Sequence, residues 1–261
     1  MLAGRVVPME LGNEFFWFIL IGLAAQLVDG ALGMAFGLVS TSILLAVGLP
    51  PASVSAAVHT AKVFTTGASG GSHALMGNVD RRLLLRLAIP GVIGGVIGAY
   101  VLTQVPGQLL RPVTCVYLLV LAVLILRRVI RDRAAGPETA KRVQRRVPAV
   151  GFLAGLLDAI GGGGWGSLST STLLASGSAT RATIGTVNLA EFAVTLAVSL
   201  TFVFTIGMAY ADVVAGLVIG GVLASPLAAL MVKRLPERLI LGSVGVLALV
   251  VSAYQIVLFT H

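Results

Sequence analysis

Six ionisable side chains interrupt otherwise apolar stretches of the sequence: Asp29, His59, Lys62, His73, Asp158 and Glu191. A charge in such a stretch is costly unless it has a partner or a task, so each is a functional candidate. His59, Lys62, Thr66, Ser69 and His73 follow one another at spacings of three, four, three and four, which on an α-helix makes one polar stripe about 80° wide. Asn188, Glu191, Thr195 and Ser199 make a second stripe, in which Asn188 answers His59 and Glu191 answers Lys62. Neither stripe can face lipid. Each must line a cavity or pack on another helix, and the hydroxyls serve equally as interhelical glue. Lys62 either pairs with Glu191 or stands free to hold an anion, with His59 one turn earlier donating a hydrogen bond or titrating near neutral pH. The residues alone leave both readings open.

Two glycine-rich turns, Gly30 to Gly37 and Gly161 to Gly166, each follow an aspartate, Asp29 or Asp158, and precede Ser40-Thr41-Ser42 or Ser169-Thr170-Ser171. A helix that begins after such a turn aims free backbone amides and its positive dipole end at the break, which suits an anion. Gly162 and Gly163 amides and the hydroxyls of Ser40, Ser169 and Thr170 are therefore expected substrate contacts beside His59, Lys62 and Asn188. Asp29 and Asp158 read either as caps of the following helices or, with Glu191, as coupling groups. Phe36 and Trp165, at matched positions, read as packing or as gates. No metal and no cofactor is expected, because His59 and His73 lack a matched carboxylate or cysteine set. No nucleophile with an adjacent base speaks for an enzyme. The single Cys115 excludes an intrachain disulfide.

The elements that must position these residues follow from composition. Hydrophobic residues make up 57% of the 261 and charged residues 11%, and the mean hydropathy is +1.01, more apolar surface than a soluble domain can bury. Basic residues crowd between Arg111 and Arg146, which reads as a positive cytoplasmic connection and not as a nucleic-acid surface. Gly22 to Thr66 recurs 129 residues later as Gly151 to Thr195, with 16 identities in 45 ungapped pairs. The chain is thus read as a duplicated, all-α polytopic membrane protein.

Each half is expected to hold a glycine-broken helical hairpin and three transmembrane helices. In the first, 1–130, these are a hairpin at 15–48 and helices at 52–76, 83–103 and 109–128. A basic cytoplasmic loop follows at 131–147. In the second, 148–261, they are a hairpin at 148–177 and helices at 182–204, 212–232 and 239–259. Arginines before and after the second hairpin place both its ends inside, whereas the first is entered from outside, so the halves are expected to be inverted. Whether each hairpin is re-entrant or spans fully is left open, as is the oligomeric state.

The run from Asp29 to Gly37, then Gly48-Leu49-Pro50-Pro51, His59, Lys62, Ser72-His73, Gly77-Asn78-Val79-Asp80 and Pro90-Gly91, resembles the TauE/SafE family of sulfite and organosulfonate exporters. The second half, with Asp158 through Gly166, Asn188 and Glu191, is similar to that family's repeated motif. One departure is that the first turn, Gly30-Ala31-Leu32-Gly33-Met34-Ala35-Phe36-Gly37, is poorer in glycine than its partner. The resemblance implies a transporter of a small sulfur-containing anion in the bacterial inner membrane; the chain is read as a secondary transporter with a coupling proton or cation, surrounded by lipid and binding no nucleic acid. A passive anion or small-solute channel is the alternative.

Overall fold

The computed structural model describes residues 14–32, 35–130, 137–175, 180–208, 210–231 and 237–260, and these are helical apart from short connections. The ten helices are α1 Glu14–Leu32, α2 Phe36–Ala46, α3 Pro51–Leu75, α4 Arg81–Gln104, α5 Gly107–Ile130, α6 Pro137–Gly161, α7 Trp165–Ala175, α8 Thr180–Ile206, α9 Ala211–Met231 and α10 Glu237–Thr260. Local chemistry sets several ends. Pro50 is extended and Pro51 occupies the first turn of α3, where a missing N–H costs nothing. Asp80 caps α4 by accepting from the amides of Arg82 and Leu83.

The basic connection expected at 131–147 is corrected. α6 opens at Pro137, so Lys141 to Arg146 are helical. Proline at a helix start and a following run of good helix formers favour this over a loop. Residues 131–136 lie outside the described residues, as do Gly33 and Gly177.

Polarity is arranged inside out. Ile89, Ile93, Ile97 and Val101 on α4, and Val113, Val116, Val120 and Leu124 on α5, are exposed, whereas His59, Lys62, Asp158 and Glu191 are buried. That inversion suits a hydrocarbon solvent. Among the described residues, Arg81–Gln104, Gly107–Arg127 and Ala182–Ile206 are long and apolar enough to cross a membrane. α3 is long enough, but its polar stripe lowers its hydropathy. It lies at the centre, packed on α8 and α9 with lesser contacts to α2, α4, α5 and α6.

Packing crosses the boundary between the repeats. α1 packs chiefly on α9, and α4 on α6. By the 129-residue offset α1 corresponds to α6 and α9 to α4, so these are the same pair seen twice. α3 packs on its own counterpart α8, and α5 on α10. Helix partners thus recur at the 129-residue offset. Two apolar cores result. One joins α1, α2, α9 and α10 with faces of α3 and α5. The other joins α4, α6, α7 and α8.

Glycines allow the crossed pairs to touch backbone to backbone. A Cβ at Gly22 would meet the carbonyl oxygen of Leu217, and one at its repeat mate Gly151 would meet that of Leu87. Small residues at such crossings let dispersion contacts replace the hydrophobic effect that lipid removes. Gly151→Ala is expected to lose about 1–3 kcal/mol, the usual cost of forcing atoms into a packed contact. Gly71→Ala, whose Cβ would meet open space, is the control. Thermal unfolding of both variants in detergent checks this, and equal midpoints would refute it.

Candidate functional site

The two broken hairpins meet tip to tip at the centre of the molecule. Gly37, at the start of α2, abuts Gly163 so closely that a Cβ on either would strike the other's backbone, and one on Gly37 would also lie 3.6 Å from Lys62 Nζ. Gly162 and Gly164 have φ of +70° and +137°, conformations that glycine alone adopts without strain. The second break therefore reverses direction in three residues, and α7 starts at the core.

Both aspartates cap. Asp29 Oδ1 accepts from the amides of Ala35 at 2.7 Å and Phe36 at 2.9 Å, and Asp158 Oδ1 accepts from the amide of Trp165 at 2.9 Å. Asp158 does more. Its Oδ2 lies 3.0 Å from His59 Nε2, and its Oδ1 lies 3.6 Å from Lys62 Nζ. Asp29 stands outside that cluster and is half-buried.

Lys62 completes the centre by pairing with Glu191 at 2.5 Å. These two residues are 129 apart, so an ion pair joins repeat equivalents on α3 and α8. One turn on, Thr66 and Thr195, also equivalents, bring their hydroxyls within 3.4 Å. The polar stripes thus face each other: Asn188 donates to Ser69 at 3.0 Å, and His73, at the end of α3, lies 3.5 Å from the Asn78 amide and away from the cluster. Lys62 is held between carboxylates here, the first of the two readings its position allowed.

His59 is gripped on both ring nitrogens. Nδ1 lies 2.8 Å from the Ser55 carbonyl oxygen, and Ser55 Oγ donates to the Ala159 carbonyl at 2.6 Å, tying α3 to α6. The Phe202 ring closes one side of the imidazole, centroids 6.4 Å apart.

The glycine break presents its carbonyls to protein. Thr41 Oγ1 donates to Gly162 at 2.6 Å and Tyr117 Oη to Gly163 at 2.9 Å, as backbone at membrane depth requires. Tyr117, on α5, also crowds Gly161 and Gly164. The repeat comparison missed it because Val246 stands at the equivalent position; a lone phenol in an apolar span, which needs a partner, was the available signal. Ser55 was missed for the same reason, with Ile184 opposite. Ser40 and Ser169 are repeat mates, fully buried, and neither hydroxyl has a hydrogen-bond partner among the described residues. Ser40 lies one turn from Gly37 on α2. Thr170 is buried beside Ser169. Phe36 and Trp165 lie in opposite cores, and the Trp165 indole donates to the Val187 carbonyl at 3.2 Å. Arg111 and Gln255 both donate to the Leu45 carbonyl, holding the negative end of α2. Among the described residues no group of three or more histidine, cysteine or acidic side chains could hold a metal.

The site is therefore a buried knot of acids and bases where two helix starts meet, enclosed by apolar helices. Comparison with known proteins agrees in kind. The family model for the sulfite exporter TauE/SafE matches residues 18–255. A probable membrane transporter protein, YtnM of Bacillus subtilis (strain 168), is 42% identical over 247 residues, covering 92% of this chain and 82% of that protein. No solved structure matches. The chain belongs to the TauE/SafE family and is a multi-pass membrane transporter, not an enzyme.

Proposed function

We propose that this protein is a secondary transporter of a small sulfur-containing oxyanion, sulfite or an organosulfonate, across the plasma membrane. It works by alternating access between two halves inserted in opposite senses, with the basic connections on the cytoplasmic side. The observation that carries this reading is the Lys62–Glu191 pair between repeat equivalents. An ammonium shared by two carboxylates can exchange one of them for a substrate anion, and each exchange alters the link between the halves. The starts of α2 and α7 add two positive helix ends near the same point. Gly162 and Gly163 supply close backbone approach, and the hydroxyls of Ser40, Ser169 and Thr170 supply donors; His59 adds a ring beside Asp158, and Asn188 an amide that donates to Ser69 two turns beyond Lys62. Glu191 is the first coupling group, with Asp158 and Asp29 behind it. Phe36 and Trp165, the first residues of α2 and α7, are the side chains that a gating movement of either hairpin carries.

Purified protein in liposomes tests the reading. Sulfite or sulfonate flux is expected to saturate with concentration, and Ser169→Ala is expected to weaken apparent affinity about tenfold, the loss of one hydrogen bond to a charged group. Flux that never saturates indicates a channel. Absence of anion flux of either kind overturns the substrate class.

A further inference from the structure

His59 stands between two acceptors. Its Nδ1 lies 2.8 Å from a backbone carbonyl, which accepts only, so Nδ1 carries hydrogen. The neighbouring Ser55 hydroxyl, 3.2 Å away, already directs its own hydrogen to the Ala159 carbonyl and leaves Nδ1 as the donor. Its Nε2 faces Asp158 Oδ2 at 3.0 Å. A neutral imidazole with hydrogen on Nδ1 would turn a lone pair on Nε2 toward a carboxylate, with both side chains wholly buried. Asp158 is also needed as an anion elsewhere, by the Trp165 amide and the Lys62 ammonium.

We infer that His59 is the proton-binding site of this transporter, and that the closed arrangement holds a proton on the ring, making the coupling ion a proton. This rests on the transporter reading above but names the ion that it left open and moves the proton from Glu191, the first coupling group there, to His59. The proton comes from water, adds to Nε2 and leaves by the same nitrogen when the His59–Asp158 contact opens. On uptake a hydronium O–H bond breaks as N–H forms and a water is left; on release N–H breaks as a water takes the proton.

Charge balance supports the assignment. The ionisable groups facing His59 are Asp158 from α6, Lys62 on α3 itself and, beyond Lys62, Glu191 from α8; half-buried Asp29 of α1 acts on Lys62 and Glu191 from outside the knot, and Arg111 of α5 and exposed Asp212 of α9 lie at the starts of their helices. Tyr117 from α5 stands neutral beside the break, the described part of α2 brings no charge, and the arginines of α4 lie near its far end. Two cations, Lys62 and protonated His59, then balance two carboxylates. Without the proton the buried knot carries an uncompensated negative charge, which low-dielectric surroundings oppose. Closure and protonation are therefore linked. The repeat mate Asn188 has an amide that cannot take up a proton, so the duplication supplies one such site.

Imidazole nitrogen NMR of the purified full-length protein near neutral pH tests the assignment, with the His59 signals identified by their loss in His59→Gln. Two protonated ring nitrogens on His59 are expected. In parallel, titration of unbuffered wild-type protein from alkaline pH down to neutral should bind about one proton per chain more than the His59→Gln variant. A single N–H on His59 in the wild type overturns the inference, whether or not the variant folds. These readouts need no substrate. If His59 is protonated and no anion is carried, the substrate reading fails and the proton site stands; if anions are carried and His59 is neutral, the reverse holds.

Discussion

Lys62→Met is expected to abolish anion flux and to destabilise the protein by about 3–5 kcal/mol, the cost of stranding a buried charge whose partner has been removed. The methionine fills most of the space, so the loss is electrostatic. Asp158 at 3.6 Å and Glu191 at 2.5 Å both lose their cation, and both are buried. Lys62→Met with Glu191→Gln should recover a measurable part of that stability, because one of the two stranded carboxylates is gone. It should not recover flux. Thermal unfolding in detergent and proteoliposome flux separate the two effects. A Lys62→Met protein as stable as the parent would show that Lys62 is not held as described.

The second large effect contrasts two residues that the repeat makes equivalent. Asp29→Ala should cost about 1 kcal/mol, the usual loss of a helix cap, since Asp29 accepts only from the amides of Ala35 and Phe36 among the described contacts. Asp158→Ala removes a cap, the partner of His59 and a partner of Lys62 together. Its cost should reach about 3–5 kcal/mol, with flux lost. Unfolding midpoints of the two variants, measured side by side, decide the matter. Equal losses would mean that the halves use their aspartates alike and that the charge cluster adds nothing to the cap.

The contrast marks how far the sequence could be read. Helix positions came from apolar runs and glycine or proline breaks, which are local signals. They placed α3, α4, α5, α8, α9 and α10 to within a few residues. The start of α6 was misplaced because positive charge argued for a connection, while charge by itself does not prevent a helix from continuing past the membrane surface. Candidate residues were legible for an equally local reason. A His, Lys, Asp or Glu inside an apolar stretch is costly wherever it lies, so His59, Lys62, Asp158 and Glu191 stood out before any partner was known. Tyr117 and Ser55 did not, because neither is charged and neither recurs in the second half.

The sequence by itself determined that this is a duplicated helical membrane protein, and which side chains must be satisfied inside it. Periodicity, composition and the cost of burying charge are properties of short segments. Only the tertiary structure decided the partners. Lys62 meets Glu191 because both lie where the halves meet their own counterparts, and His59 meets Asp158 across 99 residues of chain. The hairpin of each repeat packs with the last helices of the other, an exchange that no local signal records. Which base meets which acid depends on distances of a few ångströms between segments far apart in the chain. Those distances are set by helix crossings at Gly22 and Gly151 and by the break at Gly163, where backbone touches backbone.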